Sequence, residues 1–209
     1  MWNTSLKKTE FPLKIGITGG IGCGKSLVCS VFNILGIPVF EADQVAKDLY
    51  DTNEKIRLRL IGLFGDRLYP AGGKLNRLLL ASLIFNDQDA MRKVNELIHP
   101  MVWEAFDSWY RQQSSVYVLL EAAILFETGF YKMMNANIVV TAPIELRIQR
   151  VMERDHITRE KVIARIRNQW DEEGSTRLAD YIIRNDEREL LIQQILETDK
   201  NIRTDGKFC

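Results

Sequence analysis

The residues best suited to chemistry lie in one run, Gly19-Gly20-Ile21-Gly22-Cys23-Gly24-Lys25-Ser26: a glycine, four residues, then Gly-Lys-Ser. Glycines at this spacing let backbone N–H groups turn inward around phosphate, and a helix starting directly after them adds positive potential. In such a loop Lys25 reaches the terminal phosphates of a nucleotide and the Ser26 hydroxyl can hold Mg2+. An apolar strand before the run and a helical pattern after it argue against a mere glycine-rich turn. A phosphate loop serves switches, motors and kinases alike, so a second cluster must decide the reaction.

That cluster is Glu41-Ala42-Asp43, delivered by a short apolar segment, and it is expected beside the first loop. A carboxylate there can accept a proton from an attacking hydroxyl or help place magnesium, which makes Asp43 the candidate base. Capping of the following helix, with Asp43 as N-cap, accounts for the same residue and is compatible with catalysis. Transferring a phosphoryl group also needs cations, and Arg147, Arg150, Arg154, Arg165, Arg167 and Arg177 are available. Arg147, Arg150 and Arg154 share one helical face, from which Arg150 is the favoured contact, and Arg177 follows a charged segment able to close over the nucleotide. Cys23 lies at a helix N-terminus, where a thiol pKa can fall, although a small residue that simply fits explains it as well. His99 and His156 lack metal-type neighbours, and Trp103, Phe106, Trp109 and Tyr110 recur at the spacing of a packed helical face.

The elements that must position these groups alternate. Residues 14–18 read as a strand, 25–35 as a helix stopped by Gly36, and 37–40 as a second strand. Further strands are expected at 116–120, ending at Glu121, at 138–141 and at 181–183. This order predicts a parallel five-stranded sheet covered on both faces, with ligands beyond the carboxyl ends of its strands. The stretch between the second and third strands is far longer than an ordinary crossover. It reads as helices at 53–64, 75–86 and 89–113, with a turn at Tyr69-Pro70-Ala71-Gly72-Gly73 and a break at His99-Pro100. The expected organisation is a core of 14–51, 116–157 and 178–200, a helical acceptor-binding insertion at 52–115, and a lid at 158–177.

Composition narrows the class further. Twenty-eight Lys and Arg balance 28 Asp and Glu, so no global basic field exists to attract nucleic acid. No apolar run approaches a membrane span, and Met1 to Leu13 is polar and charged. Three cysteines without paired spacing suggest a reducing compartment, and a cytoplasmic monomer or weak homo-oligomer is the simplest expectation. The guanine-reading Asn-Lys-x-Asp of GTP switches is absent, and the only Asp-x-x-Gly, Asp171 to Gly174, follows no strand.

Taken together, Ile-Thr-Gly-Gly-Ile-Gly-Cys-Gly-Lys-Ser at 17–26, Glu-Ala-Asp at 41–43, His-Pro at 99–100, Ile-Leu-Phe-Glu at 124–127 and Arg154-Asp155 resemble the dephospho-CoA kinase family. The resemblance implies a P-loop kinase fold in three layers, with a helical domain for the CoA portion and a lid. It implies ATP phosphorylating the ribose 3′-hydroxyl of dephospho-CoA, with magnesium. It sets Asp43 on the family's base, Lys25 on its phosphate lysine and Thr18 on the threonine before the loop, with nucleotide contacts from Thr18 and Gly20 through Leu27. The chain departs from the family's usual residues at Cys23, Leu27, Glu41 and Ala123. A nucleoside or nucleotide monophosphate kinase is the nearest rival, because it would use the same loop, insertion and arginines.

Overall fold

Apolar runs rich in Ile, Val and Leu build the sheet in a computed structural model that describes residues 11–70, 73–85, 87–170 and 172–204. The strands are β1 (Leu13–Thr18), β2 (Val39–Glu41), β3 (Tyr117–Glu121), β4 (Ala136–Thr141) and β5 (Tyr181–Arg184). Their order across the sheet is β2-β3-β1-β4-β5. β1 runs parallel to β3 and β4, and β4 runs parallel to β5. Every residue of β3 is buried, as expected where helices cover both faces of a parallel sheet.

The chain divides into two compact units, one reaching Phe40 and resuming at Tyr110, the other Glu41–Trp109. In the first, α1 (Lys25–Ile34) lays Val28, Cys29 and Phe32 onto the sheet core of Ile15, Ile17, Tyr117 and Ile138. Gly36 does stop this helix, at φ 82°, with Ile37 N–H donating to Phe32 C=O and Gly36 N–H to Asn33 C=O. After β4 come α6 (Ile144–Asp155) and α7 (Arg159–Arg167), sharing an apolar cluster of Ile148, Val151 and Val162 that Ile21 joins. α8 (Glu172–Arg177) precedes β5, and α9 (Leu191–Thr204) buries Ile195 and Ile202 in the sheet core.

The second unit is helical: α2 (Ala42–Thr52), α3 (Glu54–Phe64), α4 (Arg77–Ile84) and α5 (Gln88–Tyr110), whose last residue belongs to the first unit. Asn53 caps α3 by accepting from Ile56 N–H, and Asn76 caps α4 by accepting from Leu79 N–H. The expected break at His99-Pro100 does not occur, because α5 continues through Pro100. A proline inside a helix costs about 3 kcal/mol. Here the cost is offset by the buried stripe Val94, Ile98, Val102 and Phe106, which packs only if the helix stays continuous. Two residues of the expected turn, Ala71 and Gly72, lie outside the described residues, as do most of the polar N-terminal stretch, Asp171 and Cys209.

β3 lies between β1 and β2 in the sheet, and β1 is flanked by β3 and β4. Sequence order alone does not reveal that the third strand inserts between the first two.

Candidate active site

The loop leaves the buried end of β1 at Thr18 and enters α1 at Lys25, with Gly22 at φ 80° and Gly24 at φ 88°. Both values lie in the left-handed region that favours glycine. Close approach adds a second requirement. A Cβ on Gly20 would sit 2.2 Å from Arg147 Nη2, and one on Gly24 would sit 2.2 Å from Asn185 Nδ2. Protein side chains, besides any phosphate, thus press against the outside of the loop. Asn185 Nδ2 donates to Cys23 C=O at 2.9 Å, and Asn185 N–H ties back to Thr141 C=O at 2.8 Å at the end of β4.

Lys25 heads α1, and its Nζ lies 2.5 Å from Glu121 Oε1, both side chains 11% exposed. Glu121 closes the buried strand β3, so a carboxylate and an ammonium face each other at the carboxyl edge of two adjacent strands. The sequence signal for Glu121 is a charged residue ending an otherwise apolar run, which marks a strand's end but does not identify its partner. Thr18 Oγ1 donates to Ala123 C=O at 3.4 Å, so the segment after β3 also closes on the loop. Between them lies a cleft lined by Thr18, Gly19, Ala123, Phe126, Glu127 and Trp170, with the Phe126 and Trp170 rings edge to face at 6.3 Å.

The arginine stripe of α6 resolves into distinct roles. Arg147, which sequence reasoning passed over for Arg150, is 5% exposed. Its Nε donates to Ile21 C=O at 3.0 Å and its Nη1 to Glu172 at 2.6 Å. Arg150 also reaches the loop's outer edge, with Nη1 3.5 Å from Gly22 C=O and 3.2 Å from Asn185 C=O, and Nη2 paired with Glu187 at 2.9 Å. Arg154 pairs with Asp155, which also accepts from Arg165 at 2.7 Å, fastening α7 to α6. Arg177 pairs with Glu173 one turn back on its own short helix.

Cys23 fits the loop as a small buried residue. Cys23 is 1% exposed, and burial pushes its pKa up, outweighing the lowering influence of the Lys25 backbone N–H and the nearby cations. The helix N-terminus is present, but desolvation wins. His156 takes φ 52° as the C-cap of α6, and burial holds the His99 imidazole below its usual pKa.

Asp43 lies in the second unit, where it is half-buried in the first turn of α2. It is not the N-cap: Glu41 holds that position, and the helix starts at Ala42, directly after β2. No cluster of three or more His, Cys, Asp or Glu side chains able to hold a metal exists among the described residues. Mg2+ bound through nucleotide phosphates keeps several waters and takes only one or two protein oxygens. Ser26, exposed in the first turn of α1, supplies an oxygen of the right kind.

A parallel sheet of this strand order, with a Gly-rich phosphate loop joining β1 to α1, defines an α/β protein of the P-loop class. The sequence profile of the dephospho-CoA kinases matches residues 13–190. Dephospho-CoA kinase of Bacteroides fragilis is 40% identical over 186 residues, covering 88% of this chain and 90% of that protein. A crystal structure from Thermus thermophilus superposes with a TM-score of 0.81 at 30% identity, covering 93% of this chain and 98% of its own. The dephospho-CoA kinase from Campylobacter jejuni superposes with a TM-score of 0.66 at 26% identity, covering 92% and 98%. The chain belongs to the dephospho-CoA kinase family, transferases of the last step of coenzyme A synthesis. No helix among the described residues is long and apolar enough to cross a membrane.

Proposed function

We propose that this protein transfers the terminal phosphoryl group of ATP to the ribose 3′-hydroxyl of dephospho-CoA, giving CoA and ADP. The observation that carries the reading is the Lys25 ammonium held at the mouth of a glycine loop, in a chain of this family. Backbone N–H groups of the loop and Lys25 bind the triphosphate, neutralising charge that spreads over the transferred group. Arg150 and Arg177 are the further cations assigned to the nucleotide. Asp43 accepts the hydroxyl proton as the oxygen–phosphorus bond forms and ADP leaves. The Ser26 hydroxyl would hold magnesium, which would supply charge neutralisation on the phosphates. The helical insertion at 52–115 binds the acceptor and 158–177 serves as lid, in a cytoplasmic monomer or weak homo-oligomer.

A coupled assay for ADP, run with dephospho-CoA, AMP, CMP and simple nucleosides in parallel, tests the reading. Turnover is expected with dephospho-CoA and at most a trace with the others. Preferential phosphorylation of a nucleoside or nucleotide monophosphate would replace it with the rival kinase class.

A further inference from the structure

The tip of the phosphate loop is held by a closed ring of hydrogen bonds that phosphate binding does not require. Ile21 N–H donates to Gln169 Oε1 at 2.8 Å. Ile21 C=O accepts from Arg147 Nε at 3.0 Å, and Arg147 Nη2 returns to the same Gln169 oxygen at 3.4 Å. The remaining guanidinium nitrogen, Nη1, carries the ion pair to Glu172. All three nitrogens of a buried arginine are therefore used, as a charge removed from water demands. Both backbone polar groups of Ile21 are committed to protein, while its side chain packs into the apolar cluster of α6 and α7. The ring also accounts for Gly20, because any Cβ there would meet the guanidinium lying along the loop.

We infer that Gln169, between α7 and α8, and Glu172, the first residue of α8, are positioning residues for nucleotide binding: Gln169 directly and through Arg147, and Glu172 through Arg147, hold the tip of the phosphate loop in its binding shape. Neither side chain needs to touch the reacting atoms. Their effect is on how well the remaining N–H groups of the loop converge before the nucleotide arrives, which alters affinity for ground and transition state alike. Glu172 keeps the Arg147 charge compensated, and Gln169 fixes the plane of the guanidinium against the loop. The inference rests on the proposed use of ATP but not on the identity of the acceptor.

The experiment compares wild type with Gln169→Ala, Glu172→Gln and the double variant, following binding of a non-hydrolysable ATP analogue with magnesium by titration calorimetry, without acceptor. Loss of a hydrogen bond to a charged, buried partner should raise the analogue Kd and the KM for ATP about tenfold, with kcat within about threefold. The acceptor KM should stay unchanged. Because both side chains meet one guanidinium, the double variant should cost less than the sum of the two single variants. An analogue Kd within twofold of wild type in Gln169→Ala would overturn the inference, whatever happens to the melting temperature. So would full additivity of the two substitutions. Wild-type protein that binds the analogue but fails to phosphorylate dephospho-CoA would instead remove the proposed reaction, leaving the Kd comparison to decide the loop.

Discussion

Lys25 Nζ and Glu121 Oε1 meet at 2.5 Å, so the ammonium assigned to the triphosphate is already held by a carboxylate from the adjacent strand. The pair is largely shielded from water, and removing one partner of such a pair takes away part of the compensation of the remaining charge. A triphosphate can take over the role of the carboxylate, which ties the stability of this corner to the nucleotide.

Glu121→Gln should therefore lower the melting temperature, by an amount corresponding to about 1–3 kcal/mol. Added ATP with magnesium should restore more of it than ATP adds to the wild type. Differential scanning fluorimetry with and without nucleotide checks this; an equal ATP-induced rise in both proteins would show that phosphate does not replace Glu121.

Asp43→Asn keeps the size and much of the hydrogen bonding of the side chain but cannot accept the hydroxyl proton. Turnover should fall by roughly 100-fold or more, the usual scale for losing a general base, while the ATP analogue binds as before. Steady-state kinetics paired with analogue titration measures both. Near wild-type turnover would return Asp43 to a purely local part in the first turn of α2.

Burial raises the Cys23 pKa, so the thiolate fraction at pH 7–8 is smaller than for an ordinary cysteine, and the sulfur is also sheltered from reagents. Peptide mapping after iodoacetamide treatment should find Cys23 unlabelled in the native protein and labelled once guanidinium unfolds it. Rapid native labelling with ATP protection would reverse this assignment.

Burial lowers the His99 pKa from its ordinary value of 6.5, so the unfolded chain binds this proton more readily than the folded one. The stabilisation is complete above about pH 6.5 and declines as the pH falls through that region. Melting temperatures from pH 8 to pH 5 should drop on the acid side, and His99→Gln should flatten the decline. An unchanged slope in the variant would move the acid sensitivity to other groups.

The glycine loop, its strand and its helix were legible because each is encoded locally. Apolar runs, glycine spacing and the stop at Gly36 all act within a few residues of chain. What escaped depends on which strands become neighbours and which side chains cross between elements. Glu121 becomes part of the site only because β3 lies beside β1, 105 residues separating Thr18 from the Ala123 carbonyl it meets. Arg147 and Arg150 occupy the same helical face and read alike as sequence. Their difference in burial arises from where α6 crosses the loop. Pro100 misled for the opposite reason, since a strong local signal yielded to the packing of the stripe around it. Asn185, just beyond β5, offered no pattern at all, though its amide holds Cys23 C=O.

The close approaches at Gly20 and Gly24 bear on engineering this enzyme. Arg147 and Asn185 fill the space that a Cβ at either position would occupy. Transplanting the octapeptide alone into another scaffold would leave its outer wall behind. A working graft would have to carry the first turns of α6 and the residue following β5 along with it.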